Sequence, residues 1–189
     1  MTSTRLSHVI GFDDAPFPRA HRGDVLVVGA VFSGSRLDGV LSGRVRRDGA
    51  NATRVLADMA ARSRFAPQLQ AILVQGIALA GFNVVDIEAL HDRLGVPVIA
   101  VARKQPDREA VRQALLERVP GGKRKLRIIE RLGPMEPAGG LWVQRAGTDI
   151  PTAAALLQRF ALHGRLPEPL RTAHLIAGGI GTGESRHRP

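Results

Sequence analysis

The first part of the chain is built from short apolar runs separated by turn-forming residues. His8 to Phe12 is short and apolar, Asp24 to Phe32 contains the unbroken stretch Val25-Leu26-Val27-Val28, and Leu37 to Arg47 partly alternates. Three consecutive strands with short connections predict an antiparallel meander. Asn51 then offers an N-cap, and Val55, Leu56, Met59 and Ala60 recur at helical spacing until Ser63 and Pro67 end the pattern. From Gln70 the rhythm changes. Ala71 to Val74 predicts a buried strand, Val85 to Leu94 a helix, and Val96 to Ala102 a second strand rich in branched residues, which together make a parallel β-α-β unit. Asp107 to Arg118 predicts a helix, Pro120 to Lys125 a basic turn, and Leu126 to Glu130 and Leu141 to Arg145 edge strands. Thr152 to Leu162 and Pro169 to Ala177 predict the closing helices, followed by a Gly-rich tail from Gly178 to Pro189 with little apolar content to hold it down.

A three-strand antiparallel meander, a helix and then parallel strands is the element order of the ribonuclease H-like fold. The expected fold class is therefore α/β, a mixed sheet flanked by helices. With 189 residues, one core suffices, and a single domain over residues 1–189 with a tail at 178–189 is the expectation.

Charge adds a partner class. Lys and Arg number 27 against 17 acidic residues, a formal net charge of +10, which attracts polyanions. The arginines are spread along the chain instead of forming one amphipathic basic helix, so nucleic acid is favoured over a membrane surface. DNA is the leading partner and RNA the alternative. Cysteine is absent, so a metal would sit on carboxylate, amide, imidazole or carbonyl groups. Trp142 is the single tryptophan and tyrosine is missing, which argues against a broad stacking platform for single strands. No apolar stretch approaches the ~18 to 20 residues of a membrane span, and Met1 to His8 lack the pattern of a cleaved signal. A cytoplasmic protein is expected.

Candidate chemistry begins at Gly11-Phe12-Asp13-Asp14, where a buried strand runs into two carboxylates. The pair either opens a turn into Ala15-Pro16 or supplies oxygen to a hard cation such as Mg²⁺. Asp48, at the exit from the third strand, is open to the same two readings. Further along, an apolar strand ends in Gln75-Gly76 and is followed by the turn Gly81-Phe82-Asn83. In Pro167-Glu168-Pro169-Leu170-Arg171-Thr172-Ala173-His174, Pro169 suits a first helical turn, and Arg171 and His174 fall three apart on one helical face. His174 reads either as an ordinary helix residue or as a ligand.

Taken together, Gly11 to Asp14, Asp48-Gly49, Gly81 to Asp86, Val96 to Asp107 and Pro167 to His174 resemble the endonuclease dU family, relatives of endonuclease V. The similarity runs from about His8 to the segment Gly183 to Arg186. The resemblance implies a metal-dependent nuclease that cuts DNA carrying deaminated bases, with Mg²⁺ or Mn²⁺ as cofactor. It implies Asp13, Asp48 and His174 as catalytic metal ligands, and Arg103 or Lys104 as the cation after the last core strand, with Arg171 as a phosphate clamp. The sequence departs from endonuclease V at Gln75-Gly76, where that enzyme carries an aspartate-glycine pair. An amide there can still give oxygen to a metal but brings no charge. Asp14 and Asp86 are the secondary candidates to replace it, each also readable as a turn former or helix N-terminal acid. The aromatic wedge of endonuclease V is absent from Ser33 to Gly39. Two other readings follow: a nucleic-acid-binding protein of the same fold that has lost catalysis, and a nucleotide or small-molecule hydrolase.

Overall fold

The computed structural model describes residues 6–185. Strands β1 (His8–Asp14), β2 (Asp24–Ser33) and β3 (Arg36–Arg46) form an antiparallel meander in which Asp13 lies opposite Val28. Helix α1 (Ala52–Ala61), strand β4 (Ala71–Gln75), a small hairpin of β5 (Ala78–Leu79) and β6 (Asn83–Val84), helix α2 (Ile87–Leu94) and strand β7 (Val98–Ala102) follow. The chain then forms α3 (Arg108–Arg118), α4 (Gly122–Leu132), β8 (Glu136–Ala138), β9 (Leu141–Ala146), α5 (Ile150–Phe160) and α6 (Glu168–Thr182). The main sheet has the order β3-β2-β1-β4-β7-β9-β8. β1, β4 and β7 are mutually parallel at its centre, and β9 returns antiparallel to β7.

Each central strand is buried on both faces, which is why it reads as a nearly continuous apolar run. Alternation sends Val9, Leu73, Ile99 and Val101 toward Leu157 and Phe160 of α5 and Leu170 and Ala173 of α6. Ile10, Phe12, Ile72 and Val74 face Leu56 and Ala60 of α1 and Ile87 and Leu90 of α2. The parallel strands all end on one edge, and Asp13, Gln75 and Arg103 stand at or just beyond those ends.

Four local expectations are corrected. Leu126 to Glu130 is part of helix α4, not an edge strand. Leu126, Ile129 and Leu132 follow one another at three-residue steps while Lys123, Arg124, Arg127 and Arg131 are exposed, so the short apolar run fits the helical period equally well. Leu141 to Arg145 is a strand but lies inside the sheet, because β8 covers its outer side. The tail does not begin at Gly178. Helix α6 continues to Thr182, with Gly178 buried and the Thr182 hydroxyl donating to the Gly178 carbonyl at 3.0 Å; residues 186–189 lie outside the described residues. Finally, Asn51 occupies the N-cap position of α1 without capping it. Its Oδ1 accepts from the Arg46 amide at 3.0 Å and from Asn83 Nδ2 at 2.7 Å, and it is Asn83 Oδ1 that accepts from the Ala52 amide at 2.9 Å. Among the described residues no helix is long and apolar enough to cross a membrane.

Candidate metal centre and its cationic rim

The site is set by how closely α6 crosses β1. A Cβ on Gly11 would stand 2.3 Å from the Pro169 carbonyl carbon and 2.6 Å from the Leu170 nitrogen, so only glycine admits the helix at this depth. One turn beyond that crossing, His174 meets Asp13, the next residue of β1 on the same face. His174 Nδ1 donates to Asp13 Oδ2 at 2.9 Å, and the Asp14 amide donates to Asp13 Oδ1, also at 2.9 Å. Asp13 is 5 % exposed, while the His174 side chain keeps 27 % of its surface open.

Gln75 ends β4, one step past the paired residues Phe12 and Val74. It shares the α6-facing side of the sheet with Leu73 and, by the same alternation, with Asp13. Its Oε1 is buried and has no hydrogen-bond partner among the described residues. A buried acceptor left unmade costs about 1–3 kcal/mol, so this atom needs a reason to be there. Asp14 is the neighbouring source of charge: its carboxyl is pushed up to about 6, first by burial and then by the charge of Asp13. Among the described residues no Lys or Arg forms an ion pair with Asp13 or Asp14. A carboxylate, an imidazole and an unsatisfied amide oxygen, in a negative and cation-free setting, form a donor set that fits a divalent ion.

Asp48 does not join this set, which corrects the expectation that it converges with Asp13 and His174. No group of three or more His, Asp or Glu side chains close enough to hold a metal occurs among the described residues. Asp48 has φ +51° and is committed elsewhere. Its Oδ1 accepts from the Phe82 amide at 2.9 Å, its amide donates to the Ala80 carbonyl at 2.9 Å, and Arg47 Nε lies 3.2 Å from Oδ2. Gly81, at φ +83°, is needed here too, since a Cβ would stand 2.4 Å from Asp48 Oδ1. The Ala80 amide in turn donates to Asp14 Oδ2 at 2.9 Å. Asp14 and Asp48 thus grip the two ends of one residue in the β5–β6 turn, on the α1 side of the sheet. Lys125, 4 % exposed, donates to the Asp48 carbonyl. Burial pulls its ammonium below the usual lysine range, opposed by the charge of Asp48. Asp86 is likewise structural: it caps α2 by accepting from the Ala89 amide at 3.2 Å, and both its oxygens accept from Arg131 at 2.8 and 2.7 Å.

The expected cations lie along the same edge as Asp13. Arg103 and Lys104 are exposed just after β7. Arg171, three residues before His174 on α6, is held by Glu168 through Nε at 2.9 Å and Nη2 at 2.8 Å. Glu168 was missed as a site residue. An acid between two prolines at a helix start reads as a partner of the helix dipole, and nothing local reveals that it is 4 % exposed. Lys125 was hidden for a related reason, being one of several basic residues in a segment read as a turn.

The order of the central sheet, with a parallel core and an antiparallel meander on one side, is that of a ribonuclease H-like α/β protein. The family model for endonuclease dU matches residues 5–181. The chain belongs to the endonuclease dU family, whose description is that of a nuclease. A UPF0215 protein of Deinococcus radiodurans is 60 % identical over 181 residues, covering 96 % of this chain and 92 % of that protein. A solved Archaeoglobus fulgidus protein of unknown function superposes with a TM-score of 0.87 at 33 % identity, over 94 % of this chain and 99 % of that one. Endonuclease V of Ciona intestinalis, solved with a 24-mer DNA containing an inosine followed by a ribo-adenosine, shares the fold, with a TM-score of 0.55, 14 % identity, and 90 % and 83 % coverage.

Proposed function

We propose that this protein is a divalent-metal-dependent endonuclease that hydrolyses a phosphodiester bond in DNA carrying a deaminated base of the deoxyuridine type, working in the cytoplasm with Mg²⁺ or Mn²⁺. The observation that carries this reading is the buried, partnerless Gln75 Oε1 on the same face as the Asp13–His174 pair. Asp13, His174 and Gln75 would hold the ion. When bound, such an ion supplies an activated water and stabilises charge that builds on the phosphate. The chain's own residues do the rest. Asp13 fixes the ring of His174 through Nδ1, and in the other tautomer that nitrogen and the Asp13 oxygens would face one ion. Arg103, Lys104 and Arg171 present positive charge to the strand, and Glu168 keeps the Arg171 guanidinium from wandering. RNA is the alternative strand.

The experiment is cleavage of uracil- and inosine-containing single strands and duplexes, DNA and RNA, with Mg²⁺, Mn²⁺ or EDTA. Metal-dependent cutting that disappears in Asp13→Ala supports the proposal; no cutting of any substrate removes it. A second reading has one specific observation in its favour. The site holds one carboxylate and an amide where a charged cluster would bind a metal more strongly, which suits a protein that binds nucleic acid without cutting it. That reading requires steeply salt-dependent binding in EDTA and no cleavage, and restored cutting in Gln75→Asp would count against it.

A further inference from the structure

A second cluster of charge lies one helical turn from the Asp13–His174 pair. Arg103, His163, Arg165 and Arg171 line a cavity of about 600 Å³ whose remaining walls include Leu141 and Leu166. That volume lies within the ~300–1,000 Å³ typical of small-ligand sites. Three guanidinium groups line the cavity, and one of them, Arg171, is bonded to the Glu168 carboxylate. Glu168 is buried and bonded to two members of the cluster: its oxygens accept from Arg171, and its Oε1 lies 3.0 Å from His163 Nδ1. Burial would raise the Glu168 carboxyl, but the hydrogen bonds from Arg171 and His163 more than offset this and hold it below the usual range. It therefore orients those two side chains while leaving the cavity with a surplus of positive charge. Arg171 spends Nε and Nη2 on Glu168, and no bond to its Nη1 is made among the described residues. Arg103 and Arg165 are exposed and form no ion pair there. Unpaired guanidinium groups around a concave surface recognise phosphate oxygens well, because their donors are planar and fixed.

We propose that this cavity is a second phosphate subsite, which binds a phosphate of the strand, internal or 5′-terminal, beside the one hydrolysed. The proposal rests on the nucleic-acid reading above and extends it to Arg165, His163 and Glu168. Its placement suits a neighbouring phosphate: Arg171 and His174 lie one helical turn apart on α6, about 4.5 Å along its axis at 1.5 Å per residue. The two leucines give the attached sugar an apolar wall. Phosphate chemistry of this kind has two sources, an internal diester or a terminal 5′-monoester. Glu168 and His163 act as positioning residues.

The test is fluorescence anisotropy in EDTA, where no cleavage occurs, using oligothymidylate with and without a 5′-phosphate. Wild type is compared with Arg165→Ala, Glu168→Gln and the remote control Arg54→Ala. Arg165 is exposed, so its variant keeps the fold, and Glu168→Gln is checked by its thermal midpoint. Arg165→Ala should weaken binding about five- to tenfold and lower the slope of log affinity against log salt by about one, while Arg54→Ala changes neither. Glu168→Gln should weaken binding in the same direction with the Arg165 contact intact. Equal losses for both oligonucleotides support the subsite and assign an internal diester; a loss confined to the 5′-phosphorylated strand supports it and assigns the terminal monoester. Binding by Arg165→Ala that matches Arg54→Ala overturns it. Because no cutting is read, failure of the nuclease proposal appears in the cleavage assay and failure of the subsite appears here.

Discussion

Replacing Gln75 with leucine separates stability from ion binding at one position. The buried Oε1 has no partner, and leaving it so costs about 1–3 kcal/mol. A leucine side chain there would remove the acceptor and keep an apolar stem between Leu73 and the end of the sheet. In EDTA, Gln75→Leu should therefore be the more stable protein by up to that amount. In a domain of this size each kcal/mol moves Tm by roughly 2–4 °C, so the midpoint should rise by about 2–12 °C. With a divalent ion the order should reverse. An ion that binds only the native protein adds RT ln(1 + [M]/Kd), about 2.7 kcal/mol at a hundredfold excess over Kd, and the variant should lose most of that gain. Thermal unfolding followed by circular dichroism in EDTA and across a Mn²⁺ series reads both effects. A variant less stable than wild type in EDTA would refute the reasoning, because the amide would then be holding the fold together. Wild-type protein whose midpoint ignores the ion would remove the metal centre itself.

Gln75→Asp should behave oppositely: a third buried acid beside Asp13 and Asp14 lowers Tm in EDTA, and Mg²⁺ restores it with a tighter apparent Kd, which calorimetric titration measures. For Asp14 the sign follows from a carboxyl raised from 3.8 to about 6. Its contribution to stability is fully present below about pH 4 and is lost as pH climbs through 6, a change of roughly 3 kcal/mol. Asp14→Asn does not titrate, so its Tm should gain on wild type across that window, and parallel profiles would contradict the shift. Gly11→Ala places a methyl group 2.3 Å from the Pro169 backbone. Overpacking of this kind costs about 1–3 kcal/mol, and the midpoint should drop by several degrees as α6 is pushed off β1.

The strands of the central sheet were legible because double burial writes each one as a compact apolar run, and the turn residues between them fixed the meander. Where the structure departs, two periods competed over a short segment. Leu126-Arg127-Ile128-Ile129 satisfies a strand and a helix alike, and the deciding facts are the basic residues outside it and the packing of Leu126 inward. The glycines after Ala177 suggested a loose tail, yet the first of them lie on α6. A Cβ at Gly181 would stand 3.3 Å from that of Ala15, so small residues here permit close packing of helix on turn. Asn51 was found as a cap position, but the amide that performs the capping comes from Asn83, 32 residues further on.

At the site, the period of two explains both what the sequence revealed and what it concealed. Asp13 and Asp14 are adjacent, so in a strand they must serve opposite faces. Asp13 turns to α6 and meets His174, residues that the family resemblance had implied would lie together. Asp14 turns to the β5–β6 turn and accepts from the Ala80 amide, while the Asp48 amide donates to the carbonyl of the same residue. The hairpin held in this way begins directly after Gln75 and Gly76. The Gly76 amide is tied to the Val101 carbonyl at 2.8 Å and the Val85 amide to the Ile77 carbonyl at 2.8 Å. Asp48 therefore acts on the centre from behind, by fixing the segment that carries β4 out of the sheet. The amide oxygen of Gln75 is thereby kept buried at the strand end without a partner among the described residues, where the proposed ion would satisfy it.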